Sequence, residues 1–203
     1  PDGIFRRNMK TLEIVPEPGC EDAYADAYAE FLDLWRKLAR MRGLSALILV
    51  IDIVEDHGTA YAVSEYFEDT TLRDYLLAGK TGYLSWEEAR ILLMPVLSTL
   101  STLHSAGIIH RGISPETLMV GSDRKVRISG FSISAARTAK SGIEPQIFAG
   151  YAPIEQYGFD GQQGPWTDIY AYAAVLYRVL VGSVPIDATV RITNDKMMIP
   201  AKF

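Results

Sequence analysis

Residues 108–120 read IIHRGISPETLMV, and the reading of the fold turns on them. The apolar pair Ile108 and Ile109 leads into His110-Arg111-Gly112, and after four further residues comes Thr117, the start of a β-prone run, TLMVG. The pattern predicts strand and loop for IIHRGIS, then two short strands, TLMVG and KVRIS, the second running into Ser129-Gly130-Phe131-Ser132.

Immediately upstream, LSWEEARILLMPVLSTLSTLHSAG (84–107) has Ser85 and Glu88 in capping-box spacing. There the serine oxygen and the glutamate carboxylate can each satisfy a helix-terminal N–H. Leu93, Val96, Leu97, Leu100 and Leu103 keep helical period, so a long helix is predicted, kinked at Pro95. Downstream, residues 132–153 are rich in Gly, Ser, Ala and Pro without periodicity and read as an irregular loop. WTDIYAYAAVLYRVLVG (166–182) is apolar nearly all round and ends at Gly182, as a buried central helix should.

Nearer the start, EDAYADAYAEFLDLWRKLARMRG (21–43) carries Phe31, Leu34, Trp35, Leu38 and Met41 on one helical face and meets a stop at Gly43. LSALILVIDIVED (44–56) and TAYAVSEYF (59–67) flank Asp56-His57-Gly58 and read as a β-hairpin. A short helix follows in TLRDYLLAG (71–79).

Composition narrows the function classes. With 48% hydrophobic and 22% charged residues over 203 positions, the chain can bury enough apolar surface to fold. A net charge of -5 without a Lys/Arg block supplies no field for nucleic acid or an anionic membrane, which leaves proteins or small molecules as partners. The single cysteine, Cys20, excludes an internal disulfide and fits a reducing cytoplasm. The longest apolar runs, such as ALILVI (46–51), fall far short of the ~20 residues that span a bilayer. His57 and His104 lack further ligands at metal spacing, so no metal site is expected. Pro1 rather than methionine opens the chain, and a piece of a longer polypeptide is expected, with the cytoplasmic part of a larger protein one form it could take.

The chain-order sequence of helix, hairpin, second long helix, HR-containing loop, GFS motif, flexible segment, YAPIEQY and buried helix with Trp166-Thr167-Asp168 resembles a bacterial serine/threonine protein kinase domain of eukaryotic type. It resembles one that is degenerate and truncated at both ends. The resemblance implies an α+β, protein-kinase-like bilobal fold: an N-lobe remnant over 1–66 (helix C plus β-hairpin) and a mainly helical, partial C-lobe over 67–203.

Carried across motif by motif, the resemblance implies a lost chemistry on a kept skeleton. His110 and Arg111 match the catalytic loop, but Gly112 replaces the aspartate that accepts the substrate hydroxyl proton, and Thr117 the asparagine that helps hold magnesium. Gly130 stands for the metal-binding aspartate of D-F-G. The helix glutamate that pairs with the nucleotide lysine aligns with Leu34; Asp33, one residue away, is rotated by roughly 100°. Leu38, Val50, His110 and Phe131 match the four stacked positions linking the lobes, and Asp168 the aspartate that holds the catalytic-loop backbone. Glu155 matches the A-P-E glutamate, whose arginine partner would lie in a later helix, and Ser64, Glu65 and Tyr66 match gatekeeper and hinge, where a small Ser64 would deepen the nucleotide pocket.

Three functions follow as expectations. The first is a pseudokinase that regulates or scaffolds a protein partner and whose nucleotide, if it takes one, is ATP or ADP without magnesium. The second is a weak or unconventional ATP-dependent serine/threonine kinase. The third is a docking platform phosphorylated at Thr138 or Ser141 by an active kinase and read by a phosphopeptide-binding domain. Apolar surface left uncovered by a trimmed C-lobe would also favour self-association.

Overall fold

The computed structural model describes residues 4–66, 68–158 and 161–197. Two compact units are each assembled from three stretches of chain: Pro1–Leu44, Ile48–Tyr66 and Ser132–Gln146 in one, Ser45–Leu47, Phe67–Phe131 and Ile147–Phe203 in the other.

The first unit opens with a small antiparallel hairpin, β1 (Phe5–Arg7) and β2 (Ile14–Pro16), in which Arg6 faces Val15. Helix α1 (Glu21–Arg40) follows, with Glu21 and Asp22 in its first turn and Lys37 and Arg40 in its last, the arrangement that complements the helix dipole. It buries Leu32 and Leu38, each contributing on the order of 2 kcal/mol of apolar transfer. The helix stops before Gly43: Met41 turns extended and its N–H caps Leu38 O at 3.0 Å.

Strands β3 (Val50–Asp56) and β4 (Thr59–Ser64) pair through a two-residue turn in which His57 and Gly58 have φ of 52° and 69°, the left-handed pair that suits the twist of a hairpin. Gly58 is required twice over, because a Cβ there would lie 2.7 Å from Ile14 O. Ile14 N–H donates to His57 O at 2.8 Å and Tyr24 Oη–H to Gly58 O at 2.5 Å, so β2 and α1 both converge on this turn. The strand expected from Leu44 begins only at Val50. Ala46 and Leu47 are drawn instead into the second unit, where Ile128 N–H donates to Ala46 O and Leu47 bridges Ile128. Phe67, the last residue of the second expected strand, lies outside the described residues.

Residues 132–146 complete this unit and are more ordered than their composition predicts. A 3₁₀ turn, Ala135–Arg137, buries Arg137 to 2% exposure, its Nη1 donating to Gln146 O at 3.0 Å and Oε1 at 2.8 Å. Burial lowers the pKa of its guanidinium, which remains a cation all the same.

In the second unit, β5 (Asp69–Thr71), β6 (Leu118–Gly121) and β7 (Val126–Ile128) form an antiparallel sheet with β6 central. Helix α2 (Leu72–Ala78) is capped by the Thr71 hydroxyl. Helix α3 (Trp86–Ser105) has its capping box in place, Glu88 N–H to Ser85 Oγ at 3.3 Å and Ser85 N–H to Glu88 Oε2 at 2.9 Å. Its Leu93, Val96, Leu100 and Leu103 form the core with Leu72, Leu76, Leu118, Ile128 and Val175.

Helix α4 (Pro165–Val181) starts with proline at its first position and closes at Gly182 (φ 89°). It is not buried all round: Trp166 and Ile169 are exposed, while Thr167, Asp168, Ala171, Tyr172, Val175 and Val179 point inward. A short α5 (Ala188–Arg191) follows. Among the described residues no helix is long and apolar enough to cross a membrane.

Candidate functional site

Asp168 sits in the first turn of α4 with no exposed surface, so its carboxylate must find donors inside the fold. It finds three. His110 N–H reaches Oδ2 at 2.8 Å, Arg111 N–H reaches Oδ1 at 2.7 Å, and His104 Nε2 on α3 reaches Oδ2 at 2.8 Å. This explains why no strand forms at IIHRGIS: the amides that would join a ladder serve the carboxylate instead, and Arg111 is left-handed (φ 60°).

His110 is 1% exposed and its ring is fixed on both sides. Gly112 N–H donates to Nδ1 at 3.1 Å, and Nε2 lies 2.8 Å from Ser129 O, which can only accept. The proton therefore sits on Nε2. The ring meets Phe131 edge-on, centroids 4.5 Å apart, joining the HRG and GFS motifs by a side-chain contact.

The two degenerate loop positions meet at a single hydroxyl. Thr117 Oγ1 donates to Gly112 O at 2.6 Å and accepts Ser114 N–H at 3.0 Å, and Thr117 is 5% exposed. Ser114 Oγ in turn accepts Glu116 N–H at 3.2 Å. The loop thus closes upon itself. Neither Gly112 nor Gly130 (φ 73°) has a carboxylate to offer, and Thr117 is engaged within the loop, so these positions do not fit a magnesium ion. Among the described residues no three His, Cys, Asp or Glu side chains lie close enough to hold a metal. Ser114 is fully buried, and Glu116 is exposed with Arg73 4.0 Å away.

The other sequence-derived positions fall as follows. Leu34 is half-buried on α1, while Asp33 is exposed and ion-paired with Lys37 at 2.7 Å. Leu38 and Val50 are buried, at 1% and 2% exposure, in the first unit. Ser64 is an exposed strand residue opposite Val50, Glu65 exchanges hydrogen bonds with the backbone of Leu49, and Tyr66 is 92% exposed. Glu155 has a partner that the sequence reading did not anticipate: it accepts the Thr167 hydroxyl at 2.8 Å, on the buried helix itself. Next to it, Gln156 Nε2 donates to Arg111 O at 2.7 Å, tying YAPIEQY to the HRG loop. Thr138 and Ser141, expected in an exposed loop, donate to Ser134 O (2.9 Å) and Ala135 O (2.7 Å), and Thr138 is half-buried.

Two organising carboxylates went unseen in the sequence. Glu30 on α1 accepts Ser134 N–H at 2.6 Å and Ser134 Oγ–H at 3.1 Å, holding residues 132–146 to the helix. No local pattern signals a partner 104 positions away. Asp187 caps α5 through Thr189 N–H (2.9 Å) and accepts Gly150 N–H (3.2 Å) and Tyr157 Oη–H (2.5 Å). Burial pushes its carboxyl pKa up, but these hydrogen bonds outweigh burial and hold it below the ordinary aspartate value. Burial, then the bond to Asp187, pushes the Tyr157 hydroxyl well above its ordinary pKa. An aspartate just before a short helical stretch was the available hint.

Residues 26–201 match the protein kinase domain family. Serine/threonine-protein kinase PknL of Mycobacterium tuberculosis is 31% identical over 153 residues, 74% of this chain and 37% of that protein. Sperm motility kinase 3A of Mus musculus is 30% identical over 166 residues, 77% of this chain and 32% of that protein. The chain thus spans about a third of the length of these curated relatives. Among solved structures, the apo form of PpkA-294 superposes with a TM-score of 0.76 at 31% identity, over 98% of this chain and 69% of that one. The kinase domain of Mycobacterium tuberculosis PknI shares the fold at 19% identity, with a TM-score of 0.64 over 86% of this chain and 63% of that one. With an α+β protein-kinase-like fold and a family match over most of its length, this chain belongs to the protein kinase family.

Proposed function

We propose that this chain is a pseudokinase module, a kinase fold that regulates or scaffolds a protein partner without transferring phosphate. One observation carries the reading. At Gly112, Thr117 and Gly130 there is no carboxylate, and the one polar side chain among them closes the loop through Gly112 O. Phosphoryl transfer draws its acceleration from positioning and from neutralising phosphate charge, and a glycine and a committed hydroxyl supply neither. The Asp168 and His110 network meanwhile keeps the loop in shape, which suits a binding role. In this reading the partner is a protein, including an active kinase, a phosphopeptide-binding domain or a second copy. Any nucleotide is ATP or ADP held without magnesium, and the setting is the cytoplasm.

The test is incubation of the chain with γ-labelled ATP, a generic basic protein and either magnesium or manganese, alongside thermal unfolding with ATP or ADP in magnesium and in EDTA. The reading expects no label transfer, and any nucleotide shift should survive EDTA. Transfer that disappears on mutation of this chain would sink it. A second reading, a weak ATP-dependent serine/threonine kinase, is favoured by relatives that carry that name, and a magnesium-dependent shift would support it. Docking through phosphorylated Thr138 or Ser141 is less favoured, because both hydroxyls are engaged with backbone carbonyls.

A further inference from the structure

The first unit contains a cavity of about 420 Å³, and the described residues that line it all belong to that unit. The size falls among pockets that take small organic molecules, about 300–1,000 Å³. One wall is a face of α1 bearing Tyr24, Ala27, Tyr28 and Phe31, the i, i+3, i+4, i+7 spacing of a single helical stripe. Phe5 of β1, Ala60 of β4, and Ile133 and Ala136 of the segment that Glu30 holds through Ser134 also line the cavity.

Charge and ring chemistry restrict what fits. Among the described residues Glu144 is the only charged side chain lining the cavity, and no lysine, arginine or histidine lines it, so phosphates and carboxylates meet no counter-charge there. The Tyr24 and Tyr28 hydroxyls are engaged with Gly58 O and Glu55 Oε2, which leaves the rings to the cavity. Four aromatic residues and one carboxylate together attract a cation with an apolar body, since ring faces carry negative electrostatic potential. From this charge complementarity we propose that the cavity is a binding site for a small organic ammonium ion with an aromatic or aliphatic body. Because Ile133 and Ala136 form one wall, occupancy would also hold residues 132–146 against α1. The inference is independent of whether the chain transfers phosphate.

The probes are 1-naphthylmethylammonium and its anionic counterpart naphthalene-1-carboxylate, followed by ligand-observed saturation-transfer NMR and by thermal unfolding of the 203-residue chain. The ammonium is expected to bind at least tenfold more tightly than the carboxylate. Glu144→Gln should reduce that preference to less than threefold, and Ala27→Phe, which fills the cavity, should abolish saturation transfer. If Ala27→Phe fails to fold, Ala136→Phe fills the same cavity from the 132–146 segment. Absence of binding by the ammonium, equal binding of both probes, or binding unchanged in the filled variants would each overturn the proposal.

Discussion

The carboxylate of Asp168 and the backbone N–H of His110 lie 2.8 Å apart although 58 residues separate them in sequence, and this bond fixes the course of the HRG loop. Since Arg111 N–H and His104 donate to the same fully buried group, its removal leaves three donors without an acceptor. Asp168→Ala should cost about 3–5 kcal/mol. In a domain of this size that lowers the thermal midpoint by about 10 °C, readable by circular dichroism.

Thr117 offers a finer probe of the same loop. Thr117→Val keeps the shape and removes the hydroxyl, stranding Gly112 O and Ser114 N–H, at a cost of about 1–3 kcal/mol in urea unfolding. Thr117→Ser should recover most of it. A larger loss for Thr117→Ser than for Thr117→Val would show that the methyl packing, not the hydroxyl, holds the loop.

At the β3–β4 turn, Gly58→Ala places a side chain on a left-handed residue and against Ile14 O. The backbone penalty alone is about 1–2 kcal/mol. The amide of Ile14, which donates to His57 O, should then exchange with deuterium faster than in the parent chain.

Glu30→Gln weakens two bonds to Ser134, and Glu30→Ala removes both. A hydrogen bond to a charged acceptor contributes about 1.5–3 kcal/mol, so the alanine variant should open residues 132–146 at least about tenfold more often. Trypsin cleavage after exposed Lys140 measures this directly.

The Asp187–Tyr157 pair sets opposite pH limits. The folded pKa of Asp187 lies below its unfolded value, so its contribution is present above about pH 4 and is lost as pH falls from there through the folded value. Tyr157 is shifted up, so its contribution is complete below about pH 10 and fades as pH rises beyond that. Asp187→Asn should flatten the acid limb of a stability–pH curve, and Tyr157→Phe the alkaline one.

The long helices were readable because their signals are local: the Ser85–Glu88 box and the Gly182 stop need only neighbouring residues. The kinase order was readable because HR, GFS and WTD recur at matching spacing. The β1–β2 hairpin escaped, since FRR and IVP are too short to alternate. Glu30 and Asp187 escaped because their partners are distant in sequence. The strand wrongly expected at Ile108 was defeated by the same cause, a carboxylate on α4 that outcompetes a neighbouring strand for backbone amides.

The chain passes between its two units five times on the way from Pro1 to Phe203. No single cut of the gene therefore releases either one whole. A fragment ending at Tyr66 would leave α1 without the strip that carries Ser134, and one starting at Phe67 would leave Ile128 without the carbonyl of Ala46. Complementation by two separately expressed halves should yield a native spectrum only when both are present, which makes this domain suited to split-protein reporting rather than to modular transplantation.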